Sequence, residues 1–306
     1  MSILSRPYFN EEPAAFAHLE KIVWNGMPTC PKCGALDRIY VLDGVKDKKG
    51  RERLGLKKCG HCKAQFTVRV GTVFESAHIP LHKILQAVYL MCASKKGISA
   101  HQMHRTLEIT YKSAWFLCHR IREAMRDGTL TPMGGLSGYV EVDETYTGRD
   151  HSKLLKSGTA HKFAVLTLVE RGGRARSFPI DRATQKTVMP IVIKNVDRET
   201  NIMTDEGGQY VPMAKHFQTH SVVNHGKDEY VRGIAHSNTV EGYFSIFKRG
   251  MKGVYQHCSE KHLHRYLAEF DFRYSNRVAM GVNDVARTEK ALCDIKGKRL
   301  YYKRPA

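Results

Sequence analysis

The chain has 306 residues, enough for two or three modules, and an ordinary globular composition of 42% hydrophobic and 26% charged residues. Forty-nine Lys and Arg against thirty Asp and Glu leave a formal charge of +19, which points to nucleic acid ahead of an anionic membrane or ribosomal surface. No uncharged apolar run approaches the ~20 residues a bilayer span needs, and the first residues lack an export pattern; the expectation is a cytoplasmic, nucleoid-associated protein with no membrane partner and reduced cysteines.

Residues 1–27 are expected to hold a short amphipathic docking helix, with Phe16, Leu19, Ile22 and Val23 at helical spacing. Residues 28–75 carry two C-x-x-C pairs, Cys30/Cys33 and Cys59/Cys62. Each pair forms a knuckle with two thiolates facing one ion, and two knuckles complete a tetrahedral site for one structural Zn²⁺. Gly34 and Gly60 lie at or beside these turns, and the run Gln65 to Val70 reads as a following strand. Four thiolates leave no open coordination position, so this zinc ribbon holds a module together and does not catalyse. His61 is then a solvated loop residue. The charged run Lys46 to Arg53 reads as a hairpin tip, either solvated or touching phosphates.

Residues 78–127 read as three helices in a helix-turn-helix-like, DNA-binding segment. Ile84, Ala87, Val88 and Met91 form the buried face of the first, and Ser99 caps the second, Ala100 to about Leu107. Glu108 to Thr110 make the turn. The third buries Ala114, Leu117, Cys118 and Ile121, which leaves Lys112, Ser113, His119, Arg120 and Arg122 for a major groove. Lys112, Arg120 and Arg122 are the DNA-binding candidates here. Cys92 and Cys118 fall on apolar stripes, as small core residues do. The glycine- and proline-rich stretch 127–138 marks a domain boundary.

Strands and a helix alternate from Tyr139 to about Val223. In the first strand Val140 and Val142 share one face, and Tyr139, Glu141, Asp143 and Thr145 the other. Acids on an open strand face suit a cationic neighbour. Further strands are expected over Phe163–Val169 and Arg176–Ile180, then a helix over Thr187–Asn195. A short strand from Asn201 ends at Asp205, followed by Gly207 and Gly208. The next helix sets Asn238, Glu241, Ser245 and Lys248 on one face, beside a buried stripe of Val240, Phe244 and Phe247. Asp143, Asp205 and Glu241 form an oxygen-rich cage for two Mg²⁺ or Mn²⁺ ions. His236 either contacts a phosphate or shapes the helix start. Lys248, Arg249 and Lys252 are expected to face DNA. In the last predicted helix Leu263, Tyr266, Leu267, Phe270 and Tyr274 form a buried stripe flanked by His257, His262 and His264. Residues 281–306 read as a basic tail, flexible from Lys296 to Arg304.

These residues resemble the DDE transposases and retroviral-type integrases. Thirty-five residues separate Asp205 from Glu241, and Lys248 lies seven after Glu241. The order of ribbon, helical segment and acidic core is similar to one bacterial insertion-sequence group with an N-terminal zinc ribbon. Its members carry stretches like HSNTVEGYFSIFKRG (236–250) and SEKHLHRYLAEFDFRYSNR (259–277). The resemblance covers roughly residues 28–280. It implies an α/β fold with a ribonuclease H-like mixed sheet and flanking helices over 137–280, preceded by the ribbon and the helical segment. It also implies a two-metal polynucleotidyl transferase that cleaves element ends and joins them to target DNA by transesterification, as a homo-oligomer in a synaptic complex. Asp143, Asp205 and Glu241 match its three acids, and Lys248 its basic residue. Some members carry Asn as the third ligand, which leaves Asn238 beside Glu241. Glu141, Glu144 and Glu206 match nothing in the pattern and read as local charge balance. The alternative is a transposase-derived DNA-binding regulator without catalysis.

Overall fold

Thirteen residues from Glu12 to Trp24 form α1, whose apolar positions Ala15, Phe16, Leu19 and Trp24 turn inward while Ile22 and Val23 are half-buried. In this computed structural model residues 2–128, 131–149, 158–223, 231–232 and 235–301 are described. They fall into two compact units. The first comprises Met1–Ser94, Ile98–Met125 and Asp284–Ala306, and the second Lys95–Gly97 with Arg126–Asn283. No described helix is long and apolar enough to cross a membrane.

In the first unit an antiparallel sheet of β1 (Ile39–Val41), β2 (Lys57–Cys59) and β3 (Gln65–Phe66) carries the cysteines. The predicted strand to Val70 is cut short, because a tight turn brings the Val70 N–H to the Thr67 carbonyl at 3.0 Å. Three helices follow, α2 (Leu81–Ala93), α3 (Ala100–Leu107) and α4 (Tyr111–Met125). Glu12 accepts from the Leu81 N–H at 2.7 Å and the His82 N–H at 3.1 Å, capping α2 from α1. The Ser99 hydroxyl caps α3 through the Gln102 N–H at 3.1 Å. Glu108 takes the left-handed conformation (φ 51°) that ends α3, and Thr110 caps α4 through the Ser113 N–H at 3.3 Å. All four apolar positions predicted for α2 and all four for α4 are buried, and so are Cys92 and Cys118.

Two expectations fail in this unit. Arg120 and Arg122 do not project into solvent for a groove; they are 8% and 2% exposed, and His119 is fully buried. Arg120 lies 4.7 Å above the Phe116 ring, and burial lowers its pKa. Of the cations proposed on this helix, Lys112 is exposed. The residues expected as a basic tail instead form α8 (Asp284–Cys293), which packs on α2 through buried Ala291 and Leu292. Beyond it the Val73 N–H donates to the Ile295 carbonyl at 3.0 Å, and Lys298 Nζ to the Ala124 carbonyl at 2.7 Å. Residues 302–304 of the expected tail lie outside the described residues, as do 129 and 130 of the boundary loop.

The second unit is built on a five-stranded mixed sheet of β4 (Tyr139–Thr147), β5 (Phe163–Glu170), β6 (Ala175–Ile180), β7 (Asn201–Thr204) and β8 (Thr219–Val222). Their order is β6-β5-β4-β7-β8; β4, β5 and β6 pair antiparallel, while β4–β7 and β7–β8 are parallel. Pro179 is tolerated because β6 is an edge. On β5 successive side chains alternate between two cores. Leu166 and Leu168 join Val140, Val142 and Ile202 under α5 (Gln185–Asn195). Val165 and Val169 face α6 (Asn238–Gly250) and α7 (Glu260–Ser275) through Val240, Phe244, Phe247, Leu263, Tyr266 and Phe270. A sheet with helices on both faces is the ribonuclease H-like α/β fold that the resemblance implied. A two-stranded ribbon, β9 (Val231–Arg232) with β10 (Ala235–His236), leads into α6.

Leu292→Ala, which opens a cavity beneath α8, is expected to cost the first unit about 2–5 kcal/mol. Urea denaturation checks it; an unchanged midpoint would return residues 284–293 to the status of a loose tail.

Candidate metal centre and acidic site

Two centres emerge, one in each unit. In the ribbon the Cys30 and Cys62 Sγ atoms lie 3.6 Å apart, as do those of Cys33 and Cys59, and all four sulfurs fall within 4.8 Å of one another. Four thiolates about 2.3 Å from one zinc would stand about 3.8 Å apart, so the donor set fits tetrahedral Zn²⁺. Gly34 (φ 76°) turns the first knuckle, whereas Lys63 (φ 62°) takes the left-handed conformation in the second. Gly60 is needed for close approach: its N–H meets the Arg38 carbonyl at 2.7 Å, and a Cβ there would sit 2.9 Å from that oxygen. Burial opposes ionisation of Cys30, but the Cys33 and Lys32 amides outweigh it and bring the thiol to about 7. The Ala35 amide favours ionised Cys33, yet burial and the neighbouring sulfurs push that thiol to about 11. His61 pairs with Asp37 at 2.9 Å on the exposed surface, outside the cluster.

The acidic site lies where β7 ends, beside the middle of β4. The β4–β7 register pairs Val140 with Ile202 and Glu141 with Met203. Continued by two residues on each side, it sets Asp143 opposite Asp205, just beyond β7. The Asp205 carboxylate is turned by the Gly207 N–H at 3.0 Å. A Cβ at Gly207 would stand 2.5 Å from Gln209 Nε2 and 2.9 Å from Asp205 Oδ1, so any side chain there would displace both groups. Glu241 approaches from the first turn of α6, on an exposed face with Asn238, Ser245 and Lys248. The Ser237 hydroxyl donates to Glu241 Oε1 at 2.9 Å.

Asp143 senses the other two acids. Burial first, then the charges of Asp205, Glu144 and Glu241, push the Asp143 carboxyl up to about 8 against the opposing Glu144 N–H. They do not converge as tightly as the cysteines, whose cluster is the only four-ligand group so close among the described residues. Glu144 points to the other face of β4, where Gln209 Nε2 donates to it at 2.9 Å and Tyr210 Oη also donates. Burial raises its pKa as well.

Glu141, which the sequence reading set aside as local charge balance, is fully buried. It accepts from Arg171 Nε at 2.6 Å, from the Thr239 N–H and hydroxyl at 2.8 Å each, and from the Val240 N–H at 2.9 Å. His236 Nδ1 stands 3.2 Å away, so His236 lies beside this carboxylate at the entry to α6. Alternation had already put Glu141 and Asp143 on one face; nothing local says that a helix 98 residues later would dock there.

Past Asp143, a cleft of about 330 Å³ is lined by Tyr146, Lys162, Lys248, Lys252, Gln256 and Cys258 among others. Lys248 Nζ lies 6.0 Å from the Phe244 ring. Arg249 folds back on its own helix, with Nη2 2.6 Å from the Ser245 hydroxyl.

In chain order, a four-cysteine ribbon precedes a mixed sheet that brings Asp143, midway along β4, level with Asp205 just past β7. Residues 135–275 match the ISXO2-like transposase domain, and residues 10–65 the transposase zinc-ribbon domain. Over 283 residues the chain is 28% identical to the uncharacterized protein in transposable element ISH50 of Halobacterium salinarum, covering 87% of this chain and 91% of that relative. The chain thus carries an ISXO2-like transposase domain and a transposase zinc-ribbon domain.

Two expectations follow. Chelation of zinc, or Cys30→Ser, is expected to lower the melting temperature of the first unit, with elemental analysis falling from one zinc per chain to none. Because folding raises the Asp143 pKa from 3.8 to about 8, the folded state favours the protonated form, and metal-free stability declines as pH rises through that window. Asp143→Asn is therefore expected to melt above wild type at pH 8, by roughly 2–4 °C for each kcal/mol that the buried charge costs, and level with it near pH 4. Metal-free thermal melts at the two pH values decide this.

Proposed function

We propose that the chain is a DNA transposase in which Asp143, Asp205 and Glu241 hold a divalent-cation pair for phosphodiester cleavage and strand transfer. The observation that carries this reading is the β4–β7 register, which, continued, sets Asp143 opposite Asp205; burial first, then the charges of Asp205, Glu144 and Glu241, raise the Asp143 carboxyl there. Acids gathered on neighbouring parallel strands are costly to keep without a cation between them. The all-oxygen donor set fits Mg²⁺ or Mn²⁺. When bound, such a pair polarises the scissile phosphate and stabilises charge on the attacking and leaving oxygens.

The chain's own residues bind and orient. Asp143 and Asp205 present carboxylates side by side from rigid strands, and Glu241 closes the set from α6. Glu241 supplies a negative charge that Asn238 lacks, which favours it as third ligand for a divalent cation. Lys162, Lys248 and Lys252 around one cleft offer ammonium groups to the DNA backbone past the reacting phosphate. Arg249 stays near its own helix, and Lys112 offers a separate exposed cation for end binding. The reaction proceeds in two steps. Water first hydrolyses the phosphodiester at the element's end and leaves a 3′-hydroxyl. That hydroxyl then attacks a target phosphodiester, forming the new bond as the target's own 3′-oxygen leaves. Synapsis of two ends calls for a homo-oligomer.

A strand-transfer assay with Mg²⁺ on DNA carrying the element's ends tests this reading. Asp143→Ala, Asp205→Ala and Glu241→Gln are each expected to lose at least ~10³-fold in cleavage while binding ends within about threefold of wild type, and Asn238→Ala to retain activity. End binding by a wild type that neither cleaves nor joins would turn the reading toward a transposase-derived regulator.

A further inference from the structure

We propose that Glu141 is a positioning residue, holding α6 so that Glu241 meets Asp143. This rests on the three-acid reading of the site.

Glu141 occupies the middle strand of the sheet, between Val169 on β5 and Met203 on β7, with no solvent exposure. A carboxylate there is expensive unless its lone pairs are filled. Four donor groups fill them: Arg171 Nε, the Thr239 amide and hydroxyl, and the Val240 amide. Arg171 also donates from Nη2 to the His236 carbonyl at 2.8 Å, tying the segment before α6 to the same point.

The two amides are the second and third of α6, which normally go to the hydroxyl or carboxylate of the residue preceding the helix. That residue is Ser237, and its side chain makes no such bond. Its hydroxyl goes to the Glu241 carboxylate instead. Glu141 thus takes over the capping task from the strand and leaves Ser237 to orient the third acid. The negative charge also suits the positive end of the helix dipole.

The spacing that results is short and rigid. Glu141 and Asp143 are two residues apart on one face of β4, and Glu241 stands one residue past the amides that Glu141 holds. No loop intervenes between the anchor and either acid.

The test uses the full zinc-loaded chain, DNA carrying the element's ends, and titrations of Mn²⁺ and Mg²⁺ against cleavage. Loss of a residue that orients metal ligands costs about 10–100-fold in metal affinity or activity. For Glu141→Gln the expected result is end binding within about twofold of wild type, with at least a ~10-fold rise in half-saturating Mn²⁺. Ser237→Ala, a smaller change in case Glu141→Gln does not fold, is expected to move the Mn²⁺ requirement in the same direction by a lesser factor. An unchanged metal titration in both variants, or end binding and melting temperature falling in step with cleavage, overturns the proposal. Glu241→Gln serves as control. If it is dead while Glu141→Gln and Ser237→Ala behave as wild type, only the positioning role falls. If Glu241→Gln cleaves normally, or wild type is inert, the three-acid reading falls and this proposal with it.

Discussion

At the first turn of α6 two backbone amides and a hydroxyl meet the carboxylate of Glu141, deep in the sheet and away from water. The arrangement satisfies both partners at once, since the helix start and the strand acid would each be left with unpaired polar groups. It also gives the second unit one point at which a helix late in the chain is registered against its first strand. The apolar contacts of Val165 and Val169 with Val240, Phe244 and Phe247 hold α6 down, but such contacts are non-directional. Hydrogen bonds to a buried charge are directional, and they set where the first turn ends and which way Glu241 is presented.

The same economy governs the other face of β4. Val140 and Val142 enter the core beneath α5, while Glu144, at the end of that row, finds Gln209 and Tyr210. One strand therefore carries an anchor, a site acid and a second buried acid within four residues. Burial, then the charges of Asp205 and Glu144, raise the Asp143 carboxyl. In the first unit the cysteine cluster poses the same problem in sulfur: four thiols within 4.8 Å ionise unequally, with Cys30 drawn down and Cys33 driven up. One zinc ion answers that imbalance.

Much of this was legible in the sequence because the signals are local. C-x-x-C spacing places two sulfurs on one turn whatever surrounds it. The stripes of α2, α4, α6 and α7 fall where a 3.6-residue period requires, and Ser99 caps α3 as its neighbours predict. Errors arose where the outcome depends on what arrives from elsewhere. Arg120 and Arg122 lie on faces of α4 that look polar in a helical projection, yet both are covered. The residues after Asn283 look like a charged tail, yet their few apolar positions find α2 and become α8.

By itself, then, the sequence determined the zinc ribbon, the helical stripes, the alternation of β4 and a family resemblance that singled out Asp143, Asp205 and Glu241. All but the resemblance follow from spacings of a few residues, which backbone periodicity converts directly into faces. Tertiary structure decided the role of Glu141. Whether a strand acid is surface charge or a buried anchor depends on a helix start 98 residues away, and no local period carries that information. It decided also that β4 and β7 run parallel, since parallel strands need a long crossover, and that pairing is what brings Asp143 and Asp205 level with each other.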